Sequence, residues 1–189
     1  MKRKSFVLVL VSLMVFCFTW AALADSNIPK KKQTTLGLYV TAKEAFANWH
    51  VHPEKIHIVD VRTPEEYIFV GHAPMTVNIP IEFLKHAWDA EKKKPVMEKN
   101  PNFMNEMKRK YSTADTLYIM CRSGGRSAVA TNMLAEAGFK NVYNMLDGFE
   151  GDMVKDDNSY FNGKRYVNGW RNSGAPWTYK LNPEHMYLP

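Results

Sequence analysis

The period of the apolar positions changes repeatedly along this chain, and each change predicts an element. Ile56, Ile58, Val59 and Val61 sit in a stretch dense in β-branched residues and predict a strand over 56–61. Thr116–Met120 is nearly continuous in apolar residues, the pattern of a strand buried on both faces. Beyond it the spacing becomes helical, with Ala130, Met133, Leu134 and Ala137 at i, i+3, i+4, i+7 and Gly138 as the stop. Two capping boxes, Thr41-Ala42-Lys43-Glu44 and Thr63-Pro64-Glu65-Glu66, open short helices reaching about residues 49 and 69. Short strands are predicted over 76–79 and 141–144, and helices over 82–89 and 103–111, with Lys92-Lys93-Lys94-Pro95 as a break. Strands alternating with helices define an α/β fold: an open parallel sheet flanked by helices on both faces. After residue 152 the pattern differs. Asn162-Gly163 between 159–161 and 164–167 predicts a hairpin with a type I′ turn, and Trp170, Pro176 and Trp177 predict a tail packed on the body.

Composition adds little until the N-terminus is considered. At 189 residues, 46% apolar and 23% charged, the chain fits one ordinary domain, and its 25 basic and 19 acidic residues give a net charge of +6. Lys2, Arg3 and Lys4 precede an apolar run over 6–20 broken only by Ser12 and Thr19, and Ala22-Leu23-Ala24 follows. This reads as a secretory signal over 1–24, cleaved after Ala24, with an uncleaved anchor as the alternative. Its removal takes three basic residues and leaves a net +3, so nucleic-acid binding has no electrostatic footing. The mature chain then comprises a polar arm over 25–35, read as solvated, a domain over 36–152, and an insertion and tail over 153–189. A periplasmic or secreted location is expected, without membrane attachment after cleavage.

The same cut removes Cys17 and leaves Cys121 alone, unable to form an intramolecular disulfide in an oxidising compartment. A lone cysteine is either a buried inert thiol or a reactive one. Its neighbours favour reactivity. Cys121 ends a central strand, and Arg122-Ser123-Gly124-Gly125-Arg126-Ser127 leads into a helix. Two glycines let the loop turn its N–H groups inward at a helix N-terminus, a nest that attracts an anion, here the thiolate. Arg122 and Arg126 add positive charge, although arginines at a helix start also commonly point to solvent. No histidine or carboxylate lies in the loop, so activation must be electrostatic rather than by a local base.

Further residues complete a family pattern. Ile58-Val59-Asp60-Val61-Arg62-Thr63-Pro64-Glu65-Glu66-Tyr67, Gly71-His72, Asn78-Ile79-Pro80, the Cys121 loop and Gly148-Phe149-Glu150-Gly151 together resemble a single rhodanese (sulfurtransferase) domain, over about residues 35–152. Cys121 and Arg126 stand as C-x4-R, one residue shorter than in family relatives that handle phosphate or arsenate, which resembles the sulfur-transferring class. The resemblance implies an exported enzyme in which Cys121 accepts a sulfane sulfur from a small donor such as thiosulfate and passes it as a persulfide to cyanide, a thiol or a protein acceptor. It implies that Arg122, Ser123, Gly124, Gly125, Arg126 and Ser127 bind the substrate and that no cofactor or metal is needed. Asp60 and Arg62 are expected either to support the loop or to form a surface ion pair. The alternative function is a persulfide-carrying or regulatory module with little turnover.

Departures from the pattern are equally informative. Ala73-Pro74-Met75-Thr76 follows His72 where the family has an apolar residue and a small pair, so the local turn is expected to differ. His72 reads as a structural hydrogen-bonding residue in preference to a general acid. Asp152 stands where the family runs directly to a tryptophan, and residues through Gly169 intervene before Trp170. This insertion is expected to edge the active-site mouth. His50, His52 and His57 lack a completing cysteine or carboxylate for a metal, and Met75, Met104, Met107 and Met133 fit apolar core patterns in preference to copper ligation.

Overall fold

The computed structural model describes residues 28–188; the signal assigned to 1–24, with Cys17, and the start of the 25–35 arm lie outside them. Seven strands and four α-helices occur among the described residues: β1 Tyr39–Val40, α1 Ala42–Val51, β2 Ile56–Asp60, α2 Pro64–Phe69, β3 Val77–Asn78, β4 Glu82–Asp89, β5 Lys94–Lys99, α3 Phe103–Lys110, β6 Thr116–Met120, α4 Gly125–Glu136 and β7 Asn141–Met145. Both capping boxes form as the sequence dictates, each Thr hydroxyl accepting the N–H of the Glu three residues on while that Glu accepts the Thr N–H.

Five strands build one parallel sheet in the order β1-β7-β6-β2-β3. Strand residues alternate between its faces. Leu117 and Ile119 join Val59, Phe103, Met107 and Leu134 in one apolar layer, whereas Tyr118 and Met120 join Ile58, Ala45, Phe149 and Trp170 in the other. From β2 the chain moves outward to β3, and from β6 it moves the opposite way to β7. The crevice between the carboxyl ends of β2 and β6 is therefore a topological switch point, where ligands bind in open α/β sheets.

Two predicted elements are corrected. Residues 82–89 form β4, not a helix, and pair antiparallel with β5 through Glu82↔Lys99, Leu84↔Met97 and Trp88↔Pro95. Phe83, Leu84, Ala87 and Trp88 suit a helical stripe by spacing, but the segment is stabilised instead by pairing with 94–99, a tertiary partner that local periodicity does not contain. Lys92 and Lys93 lie at the turn, where Lys93 adopts φ 50°, and Lys94 opens β5.

The second correction concerns 159–167. Arg165 bridges Met153, the Val154 N–H donates to the Lys164 carbonyl at 2.9 Å, and the Gly163 N–H donates to the Val154 carbonyl at 2.9 Å. The partner of 163–165 is thus 153–154, not 159–161. A type I′ turn needs φ > 0 at both central residues, but here only Gly163 has it, at 77°.

The segment after β7 is fastened to the sheet. Trp170 is fully buried, its indole donating to the Pro176 carbonyl at 2.9 Å and meeting Phe46 edge-on. Further on, the Asn78 N–H donates to the His185 carbonyl at 2.7 Å, which covers the open edge of β3. The arm also departs from its solvated reading: Lys32 is buried and its ammonium lies 3.2 Å from Asp152.

Candidate active site

Strand β6 ends at Met120 and delivers Cys121 to the switch point, 2% exposed. The Cys121 sulfur accepts the Gly124 N–H at 3.2 Å and the Ser127 hydroxyl at 3.3 Å. Gly124 has φ 94°, and a β-carbon there would stand 2.2 Å from the Leu146 carbonyl oxygen, so the turn that aims its N–H at the sulfur requires glycine. Asn144 ties the Gly124 carbonyl from β7 at 3.2 Å and reaches the Lys32 carbonyl at 2.8 Å, so the arm helps hold the loop. The Cys121 and Arg122 carbonyls accept N–H groups of Phe149 and Glu150 at 2.7 and 2.9 Å, anchoring the other side. The result is a sulfur held by a backbone donor and a hydroxyl at the start of α4, an arrangement that stabilises negative charge.

The loop residues divide by position. Gly124 and Ser127 contact the sulfur, Gly125 begins α4, Ser123 is half-buried, and Arg122 is exposed. Arg126 is partly exposed and lines a cleft, but its charge is already engaged. Its guanidinium makes a fork to Glu66, with two bonds of 2.6 Å, and approaches Glu82 at 3.4 Å. Burial opposes ionisation of Glu66, but the bond and charge of Arg126 prevail and hold its carboxyl below the usual range. Arg126 is shifted upward: burial disfavours its charge, and Glu66, Cys121 and Glu82 outweigh that effect. Glu66 was legible as the closing residue of a capping box and as part of the family pattern, Glu82 only as part of a misassigned helix. A cleft of about 500 Å³ is lined by this ion cluster, by Leu84, Pro95 and Met97 of the β4–β5 ribbon and by Arg122.

Asp60 and Arg62 form a buried pair, which corrects the surface ion-pair alternative. Both are 0% exposed, and Arg62 donates to the Asp60 carboxylate through Nε at 2.9 Å and Nη2 at 2.6 Å. The guanidinium lies 4.1 Å from the Phe149 ring centroid, and Phe149 in turn bonds the Cys121 carbonyl, so the pair reaches the loop through one aromatic residue. Asn78 donates to the Asp60 and Arg62 carbonyls at 2.9 Å each, a role sequence reasoning had not assigned.

His72 is a packing residue. Its ring stacks on Tyr67 at 4.0 Å, its Nδ1 lies 3.1 Å from the Tyr67 carbonyl, and its backbone pairs with Thr178. Burial lowers its pKa below the ordinary histidine value, against the backbone contacts and Asp60, which favour the charged form. Thr76 closes the following turn by bonding the Ala73 carbonyl through both its N–H and its hydroxyl. Among the described residues, no three His, Cys, Asp or Glu side chains gather where a metal ion would be held.

The parallel sheet with a loop-cradled cysteine at its switch point defines an α/β class of protein. The rhodanese-like domain family model matches residues 42–153, and the chain belongs to that family. It is 33% identical over 124 residues to the protein RP600 of Rickettsia prowazekii, covering 65% of this chain and 82% of that protein. It is 35% identical over 91 residues to thiosulfate sulfurtransferase 16, chloroplastic, of Arabidopsis thaliana, covering 48% and 68% respectively. Among solved structures, Rv0390 from M. tuberculosis superposes with a TM-score of 0.58 at 29% identity, over 75% of this chain and 96% of that one.

Proposed function

We propose that this chain is an exported sulfurtransferase that carries sulfane sulfur on Cys121. The observation that carries the proposal is the Cys121 sulfur held between the Gly124 N–H and the Ser127 hydroxyl at the switch point. Cys121 thiolate attacks the outer sulfur of a thiosulfate-like donor. A sulfur–sulfur bond forms to Cys121 as the donor's sulfur–sulfur bond breaks, and its electron pair leaves with sulfite. The persulfide anion keeps the negative charge, which the cradle of Gly124 and Ser127 stabilises. Cyanide or a thiol then takes the terminal sulfur and returns the thiolate; a protein thiol is a further acceptor class. Arg122 meets the anionic donor from the exposed side of the loop, and Asp60 and Arg62 support the loop from β2. Lys2-Arg3-Lys4, the apolar run and Ala22-Leu23-Ala24 support export, with a periplasm or the cell exterior as the proposed location.

A second reading, a persulfide carrier with little turnover, is favoured by the Arg126 fork to Glu66, which withdraws one of the loop's two cations from the donor. The two readings separate by rate. Thiosulfate and cyanide are supplied to the mature protein, thiocyanate is followed, and Cys121→Ser is compared. Sustained turnover lost in Cys121→Ser supports the enzyme. A stable gain of one sulfur atom without turnover supports the carrier, and no sulfur gained from thiosulfate contradicts both.

A further inference from the structure

The insertion leaves and re-enters the domain at one point: a β-carbon on Gly169 would lie 2.4 Å from the Gly151 nitrogen. The closely apposed ends make 152–168 a loop hung on the rim of the cysteine site. Its limbs are tied to each other by the Met153–Arg165 bridge and the paired bonds between Val154 and residues 163 and 164. Arg165 is therefore held in a fixed place.

That place adjoins the cysteine loop. Arg165 Nη1 donates to the Gly151 carbonyl, and the Gly151 N–H donates to the Arg122 carbonyl at 3.2 Å, so one residue separates Arg165 from the neighbour of Cys121. A guanidinium has five N–H donors, and this contact uses one. Four charged groups act on Arg165 besides its own partial burial. Burial and then the Arg122 cation disfavour its charge, whereas Glu150, Asp152 and the Cys121 sulfur favour it. Asp152 is itself engaged by Lys32 and by Asn168. An arginine stays protonated throughout. The insertion thus brings a second cation near the exposed Arg122, while Arg126 is engaged by Glu66 and Glu82. Two adjacent cations repel until an anion comes between them.

We infer that Arg165, with Arg122, binds the anionic end of the sulfur donor, and that the insertion thereby makes the site selective for donors bearing a compact oxyanion such as the sulfonate of thiosulfate. The inference rests on the proposed sulfur chemistry of Cys121. Arg165 takes over the role that the family resemblance implied for Arg126.

Thiosulfate:cyanide kinetics on the mature chain test it. Arg165→Gln is expected to raise the KM for thiosulfate about tenfold with kcat held within about twofold. Arg165→Lys should recover most of the loss, and Arg165→Glu should exceed it. Lys164→Ala, on the same loop with its ammonium over the Tyr160 ring, should leave KM unchanged. Sulfate, which presents a similar face of three oxygens but has no sulfane sulfur to give, should bind the resting protein in calorimetry and bind Arg165→Gln about tenfold more weakly. An unchanged KM or sulfate affinity in Arg165→Gln overturns the inference. So does absence of sulfate binding by the wild type, or a fall in kcat that Arg165→Lys does not repair. A wild type that binds sulfate through Arg165 but gains no sulfur on Cys121 refutes the sulfur-transfer reading and leaves the anion site standing.

Discussion

Removing one partner from a buried charge pair leaves the other ion stranded without solvent, and Asp60 and Arg62 meet that condition with both side chains fully enclosed. Asp60→Asn is expected to destabilise the protein by about 3–5 kcal/mol, seen as a lower denaturation midpoint in urea. His72 gives a pH-dependent prediction. Its folded pKa lies below the unfolded value, so the unfolded chain binds more protons as pH falls through about 6.5. Stability from this residue is present above that value and is lost progressively as pH falls to the folded pKa. Thermal melts of wild type and His72→Gln should therefore diverge in slope between about pH 7 and 5, with the wild type falling more steeply. Of the residue-scale features, the Cys121 loop was legible because a glycine pair after a buried strand has a specific conformational use. The burial of Asp60 and Arg62 was not, since two charges two residues apart in sequence look the same whether enclosed or solvated.

At the scale of elements, strand β6 and helix α4 could be read directly, because continuous apolar character and a clean helical period each admit one solution. The 82–89 segment admitted two, and the ribbon partner at 94–99 decided between them. Asn162-Gly163 failed as a hairpin signal for a related reason. A turn does form there, the Lys164 N–H donating to the Phe161 carbonyl at 2.9 Å, yet the limb that pairs comes from 153–154. The insertion's closely spaced ends make its removal a clean experiment. Joining Gly151 directly to Gly169 deletes 152–168 and with it the Lys32–Asp152 ion pair, whose carboxylate is about half exposed. The deletion should lower stability by no more than about 1–2 kcal/mol in urea melts, and should raise the thiosulfate KM at least as much as Arg165→Gln. Collapse of the fold would contradict the description of 152–168 as a loop hung on a finished domain.

For the whole molecule, strand order converts these local features into a site. Because β2 and β6 send their chains in opposite directions, Arg62 and Cys121 emerge side by side at the same crevice. Val61 donates to the Met120 carbonyl at 2.8 Å and extends that pairing to the loop itself. The segments outside the sheet then close around it: the arm through Lys32, the insertion through Arg165 and the tail through Trp170. Alternating strands and helices made the parallel sheet legible, but not these attachments, which depend on single polar contacts such as that between Lys32 and Asp152, 120 positions apart. The central claim is that Cys121 is the sulfur-bearing atom. Intact-mass measurement of the mature protein after incubation with thiosulfate tests it most directly. The account predicts the addition of one sulfur atom, removed by cyanide with release of thiocyanate and absent in Cys121→Ser; an unmodified wild-type mass, or an equal gain in Cys121→Ser, would contradict it.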